Sequence, residues 1–324
     1  MVSLVRQFRR EYHCGLGRNE GQTVTHSVLI TGGAGFIGRH AHAALERQGW
    51  SVISIDSQAS RFAPNCLRCD ITDAGQLEPI FRAHRFERII HAASILPTAA
   101  KLDPHKATEV NIGGSLNILE MAARVHVQRV IYASSGSVYG TQSASNFVSE
   151  DQPAAPEDVY GAAKRYVEIL GETYERKFGV EFVALRMVMV VGAGGTSATS
   201  PWRNQIFECL GSPGSKEVFI PHRPDETLPL VHVEDIAGML ATLASAQCCS
   251  HRIYNSFGDC VKPAELKEQI ESLNPNVRLT LGNAAVTGCA RAIDSSRFAR
   301  EFGGAPVGFW QRLRTEAQSL RTTA

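Results

Sequence analysis

The run VLITGGAGFIG at residues 28–38 decides the fold. Val28, Leu29 and Ile30 make a short apolar, β-branched run of the kind that a strand buried on both faces requires. Gly32, Gly35 and Gly38 follow at three-residue intervals. In that order they suit a tight turn, a close approach of backbone to a pyrophosphate, and tight packing of a helix on the strand. From Phe36 to Gln48 apolar residues recur at helical spacing, so the free amides near Phe36 and Ile37 and the positive dipole end face the phosphates. A second apolar run, SVISI, ends in Asp56, where a carboxylate accepts hydrogen bonds from an adenosine ribose. Three glycines alone mark only a loop; strand, helix and acid together make a dinucleotide site, and the acid favours NAD over NADP.

Composition bounds the rest. With 324 residues, 44% hydrophobic and 20% charged, the chain has the makeup of a globular protein with room for one α/β domain and a smaller lobe. A formal net charge of +1 gives no electrostatic case for nucleic acid or anionic lipid as partner. No apolar run reaches the length needed to span a bilayer, so no membrane partner is expected. The first 26 residues carry Arg6, Arg9, Arg10 and Arg18 without a signal-peptide core, and Glu11 and Glu20 weaken an organelle-targeting reading, so they read as a polar, disordered extension. Eight cysteines are too few for a disulfide scaffold and suit a reducing cytoplasm. Cys66 and Cys69 form a lone CxxC, read as strand residues rather than metal ligands, and the eleven histidines show no ligand spacing, so no metal site is expected.

Taken in order, NCLRCDITD (65–73) reads as a short strand ending at Asp70, which with Ile71 is placed to meet the adenine. An amphipathic helix follows through His84. RIIHAAS (88–94) reads as the next buried strand, with Ala92, Ala93 and Ser94 small enough to let backbone lie against a cofactor. A helix holding Asn111, with the face Ile112, Leu116 and Leu119, precedes the strand RVIYASS (129–135). Such alternation implies a doubly wound parallel sheet with right-handed crossovers. Tyr160 and Lys164 are four apart and share one helix face. The cluster SSGSVYG (134–140) faces them from a strand's carboxyl edge, where ligands bind in open α/β folds.

With these motifs in place the chain resembles the NAD-dependent epimerase/dehydratase group of the extended short-chain dehydrogenase/reductase superfamily. TGGAGFIG (31–38), Asp56, Asp70, HAAS (91–94), Asn111, SSGSVYG, YGAAK (160–164), LR (185–186) and VHVEDIA (231–237) stand in that group's order. The resemblance implies an α/β Rossmann sheet over 27–190. It implies a smaller substrate lobe over most of 191–324, with segments near 230–240 and 251–258 returning to the main domain. It also implies a homodimer through the helix of Tyr160 and the helix before it. It assigns catalysis to Ser135, Tyr160 and Lys164, and NAD contacts to the glycine turn, Asp56, Asp70 and Asn111 as well as to Tyr160 and Lys164.

The chemistry of that triad explains its residue types. A phenol of pKa about 10 needs roughly 4 kcal/mol of preference for its ionised form to act as a base near neutrality. The Lys164 ammonium and an oxidised nicotinamide ring are the two cations expected to supply it. Ser94, Ser137 and Arg203 are candidate substrate contacts. Arg203 has the fork for a carboxylate or phosphate, although a surface arginine is the commoner case. The loop GAGGTSATS (192–200) suits either a lid or a linker.

The leading expectation is an NAD-dependent oxidoreductase acting on a secondary alcohol or ketone of a small polar, sugar-like or sugar-acid substrate. The alternative is a sugar epimerase that returns the hydride; a non-catalytic Rossmann binding protein is expected to have a broken triad. Gly136 and Ser137 stand where 4,6-dehydratases of the group carry acids, which disfavours dehydration. Met189 and Leu228 stand where the group's nucleotide-sugar enzymes carry an asparagine and an arginine for the diphosphate, which disfavours a nucleotide sugar.

Overall fold

The computed structural model describes residues 26–58, 63, 65–141, 147–195, 200–304 and 306–322. Residues 1–25 of the expected N-terminal extension, and 196–199 of the expected lid or linker, lie outside them.

The first strand, β1 (Ser27–Thr31), sets the layering. Val28 and Ile30 enter one core layer and Leu29 enters the other. Next come α1 (Phe36–Arg47), β2 (Ser51–Asp56), β3 (Leu67–Arg68), α2 (Ala74–Ala83) and β4 (Arg88–His91). They are followed by α3 (Pro97–Leu102), α4 (Pro104–Thr108), α5 (Ser115–Val125), β5 (Arg129–Ser135), α6 (Val159–Phe178) and β6 (Glu181–Met187). These strands, with one arriving later from Ile253–Asn255, form a seven-stranded sheet whose pairs are all parallel. Order reverses between β1 and β4, leaving a crevice at their carboxyl ends, the place where a doubly wound sheet binds its ligand. The fold is therefore a Rossmann-like α/β sheet.

Between α4 and α5 the helix widens into a π-helical stretch, Glu109–Gly114. The extra residue shifts the phase of everything after it. Ile118, Leu119, Met121 and Ala122 are buried, whereas Leu116, expected on the same face, is 38% exposed. The reading of that face from periodicity is corrected on this point.

Beyond β6 the chain builds a second lobe from β7 (Met189–Val191), α7 (Trp202–Glu208), β8 (Lys216–His222) and β9 (Leu228–His232). It then returns to the main sheet as α8 (Val233–Ser245), where Ile236, Leu240 and Leu243 share a core layer with Leu45 of α1, and as β10 (Ile253–Asn255), paired with β6. The lobe is completed by β11 (Asp259–Val261), α9 (Pro263–Leu273) and β12 (Val277–Ala284); α10 (Ser296–Phe302) then packs Phe298 into the core of the main sheet, and α11 (Phe309–Thr322) returns to the lobe. Within it β7, β9 and β11 form one small sheet and β8 and β12 another. Its own core holds Trp202, Ile206, Phe207, Ile220, Leu228, Leu230 and Phe309. Among the described residues no helix is long and apolar enough to cross a membrane.

Candidate active site

The glycine turn brings three chain segments into one place. Gly32 has φ +69°, and a Cβ there would lie 2.7 Å from the Ala93 amide nitrogen, so only glycine lets β1 turn against the end of β4. The Ala92 amide donates to the Thr31 carbonyl and the Ala93 amide to Thr31 Oγ1, fixing that contact. Gly38 packs so closely that a Cβ would meet the Gly32 carbonyl at 2.1 Å. Gly35 is the N-cap of α1 and has no side chain to cap it, and the first turn carries no acid. The amides of the first turn, at Phe36, Ile37 and Gly38, therefore face the crevice without a side-chain acceptor, which fits a pyrophosphate.

Asp56 ends β2 beside this turn. Its Oδ2 accepts from the Ala34 amide at 3.2 Å and its Oδ1 from the Gln58 amide at 3.0 Å. Asp70 Oδ1 accepts from the Thr72 amide and hydroxyl, and these bonds hold its carboxyl below the usual range. The neighbouring Ile71 is buried and packs on Gly114 of the π stretch. Asn111 is placed differently from a direct ligand: its amide is taken by the Ile95 backbone and the Ser94 hydroxyl. It fixes the loop after β4 from behind. These residues together fit a dinucleotide with its adenosine at Asp56 and Asp70 and its phosphates at the start of α1.

The Ser135, Tyr160 and Lys164 side chains converge at the carboxyl edge of the same sheet. Ser135 ends β5, and its Oγ accepts from the Ser137 amide at 3.1 Å and donates to Ser137 Oγ at 3.2 Å. Asp158 caps α6 through the Gly161 amide, which starts the helix just before Tyr160. Lys164 is 2% exposed; its Nζ donates to the Ala133 carbonyl at 2.7 Å and lies 4.7 Å from the Tyr132 ring centre and 5.5 Å from that of Tyr160.

Burial dominates the electrostatics of this pair. It pushes the Tyr160 phenol up to about 12, against the Ser135 hydroxyl, which hydrogen-bonds to it and pulls the other way. It pushes the Lys164 ammonium down to about 7, against the attraction of Glu168. Of the two cations expected to favour the phenolate, Lys164 belongs to the chain itself, and burial pushes both it and the phenol toward their uncharged forms.

Three features escaped the sequence reading. Glu168, fully buried one turn beyond Lys164, accepts from Arg186 Nε at 2.9 Å and Nη2 at 2.7 Å, from Ser134 Oγ at 2.7 Å and from Arg165 at 3.0 Å. The lysine and glutamate at i and i+4 were its only sequence signal. His91 links Thr31 Oγ1 at 2.6 Å to Ser115 Oγ at 2.8 Å, and burial followed by the charge of Lys164 pushes it down to about 3, so it stays neutral. His222 lies beside Arg203, and burial lowers its pKa too.

Of the candidate substrate contacts, Ser137 adjoins Ser135, the Ser94 hydroxyl donates to Asn111, and Arg203 extends its charge to the Tyr160 phenol from α7. Arg203 is half-buried: its Nε is enclosed and burial lowers its pKa. Met189 is half-buried and Leu228 fully buried in the lobe core, so neither supplies a donor for a diphosphate. Cys66 and Cys69 are free thiols, both pushed up to about 11, first by burial. Among the described residues no three histidines, cysteines or acids cluster as metal ligands.

A family model described as "NAD dependent epimerase/dehydratase family" matches residues 28–255. UDP-glucuronate 4-epimerase 3 of Arabidopsis thaliana is 32% identical over 186 residues, 52% of this chain and 43% of that protein, so the chain spans less than half the length of that relative. The mitochondrial L-threonine 3-dehydrogenase of Bos taurus is 27% identical over 266 residues, 78% of this chain and 70% of that protein. Among solved structures, L-threonine dehydrogenase from Phytophthora infestans superposes with a TM-score of 0.81 at 25% identity, covering 91% of this chain and 99% of that one.

Proposed function

The chain belongs to the NAD dependent epimerase/dehydratase family, and on that premise we propose that it is an NAD-dependent oxidoreductase acting on a secondary alcohol or ketone of a small polar, sugar-like or sugar-acid substrate. The observation that carries this reading is the convergence of Ser135, Tyr160 and Lys164 beside an uncapped helix start and two ribose-side and adenine-side acids. When bound, oxidised NAD supplies the hydride acceptor and a positive charge beside the phenol. Gly32, Gly35, Phe36, Ile37 and Gly38 hold its phosphates, Asp56 its ribose, and Asp70 with Ile71 its adenine end. Ala92 and Ala93 leave room for it at the end of β4.

Tyr160 accepts the proton of the substrate hydroxyl. Ser135 donates a hydrogen bond to the same oxygen and keeps it in line with the phenol. Lys164 spends one donor on Ala133 and has two left for the nicotinamide ribose. Burial excludes water and makes each added charge count for more, which suits a site whose phenol is a poor base until a cation arrives.

A second reading, a sugar epimerase with the same triad, draws support from the Arabidopsis relative. One assay separates them. NADH absorbance is followed with L-threonine, hydroxy acids and sugar acids, and UDP-glucuronate is examined for an epimeric product. Net NADH supports the dehydrogenase; product without net NADH replaces it with the epimerase; neither with any compound overturns both.

The same reading assigns residues 27–190 to cofactor binding and most of 191–324 to substrate. It includes a homodimer, for which the exposed Leu116 on α5 and Tyr166 and Ile169 on α6 offer an apolar face, and a cytoplasmic location.

A further inference from the structure

We propose that the small lobe carries a subsite for a substrate carboxylate, with Arg203 as its principal donor and His222 beside it; this rests on the oxidoreductase reading above. Among the described residues five enclosed side-chain nitrogens have no hydrogen-bond partner, and four of them belong to Arg203, His222, Arg223 and Arg291. His222 links them: it lies in the field of Arg203 on one side and of Glu226, the partner of Arg223 and Arg291, on the other. Arg223 and Arg291 share the two oxygens of buried Glu226, at 2.8 and 3.2 Å. His222, next to Arg223 on β8, feels both Arg203 and Glu226, and its ring packs edge-on to Trp202 at 6.0 Å.

The charges do not balance within the chain. Glu226 serves the other two arginines, and among the described residues no carboxylate pairs with Arg203. The acids nearest the active site are engaged elsewhere: Asp158 caps α6, and Glu157 accepts from the Thr141 amide and hydroxyl. A half-buried guanidinium whose Nε is enclosed and which has no counter-ion is costly, and a ligand anion repairs that cost. A single planar fork matches the two oxygens of a carboxylate. A phosphate dianion calls for a second unpaired cation, and Arg223 and Arg291 are already tied to Glu226. His222, held neutral by burial and by Arg203, adds a hydrogen bond without a second charge. The Arg203 charge reaches the Tyr160 phenol, so one small molecule can meet both, which points to hydroxy acids and their oxo counterparts.

The test uses acetate, acetamide and inorganic phosphate, titrated into the full-length protein with and without NAD and followed by ligand-detected NMR. Acetate is expected to bind at least about tenfold more tightly than acetamide, because only the anion answers the guanidinium. Arg203→Gln should abolish that preference, Arg203→Lys should keep part of it, and His222→Gln should weaken acetate binding severalfold. Equal binding of acetate and acetamide, tighter binding of phosphate, or acetate binding unchanged in Arg203→Gln overturns the proposal. If Arg203→Gln does not fold, Arg203→Lys decides, since full acetate affinity without the planar fork also overturns it. Acetate binding needs no turnover, so failure of the oxidoreductase reading shows separately, as absence of NADH with every alcohol.

Discussion

Replacing Lys164 by methionine should make the protein more stable below pH 7 while destroying its activity. Moving the ammonium from 10.5 to about 7 disfavours its charged form by about 5 kcal/mol. With 2% of the residue exposed, solvent screening does not reduce that figure much. The unfolded chain holds this proton up to about pH 10.5, whereas the folded chain releases it near 7. Between those values the unfolded state binds more protons, so stability rises with pH; below about pH 7 both states are protonated and the penalty is complete. Methionine keeps the stem, removes the charge and forfeits the bond to the Ala133 carbonyl, worth about 1.5–3 kcal/mol. The net gain near pH 6 is then about 2–3.5 kcal/mol. Urea titrations from about pH 7 to about 8.5 isolate this group: His91, lowered to about 3, acts below 6.5, and the buried thiols, raised from 9.0 to about 11 or 12, act with opposite sign above 9. Over that window the wild type should gain about 2 kcal/mol and Lys164→Met nothing. Parallel pH profiles for the two proteins would refute the desolvated lysine.

Tyr160→Phe keeps the ring and removes the proton acceptor, so turnover should fall about a hundredfold or more with NAD affinity nearly unchanged, as read by steady-state kinetics and calorimetry. The Asp56 carboxylate should make NAD bind about tenfold or more tightly than NADP, and Asp56→Asn should narrow that gap; equal affinities in the wild type remove the reading. Gly38→Ala places a methyl 2.1 Å from the Gly32 carbonyl. Because backbone must move to accept it, a loss of about 1–3 kcal/mol or more in thermal unfolding is expected, together with weakened NAD binding.

What the sequence discloses and what it withholds divide along one physical line. The β1 turn into α1 is legible because each of its requirements, β-branched burial, glycine at the turn and an open helix start, is met by neighbours in the chain. Tyr160 and Lys164 are legible for the same reason, as one helical turn spans both. Glu168 sits one turn further along that face, yet its buried partners Ser134 of β5 and Arg186 of β6 obey no spacing that a sequence displays. The π-helical turn at Glu109–Gly114 has no compositional mark, so the phase of α5 was misread beyond it. Desolvation is the extreme case. Whether Tyr160 titrates above or below its ordinary value, and how far Arg203 is buried, depends on residues that only the fold brings together, such as Ser135 and Arg203 against Tyr160 and Cys289 against Arg203. Residue type and order therefore reveal which groups can do the chemistry, while the charge each group carries before ligand arrives is set by how the two lobes close around it.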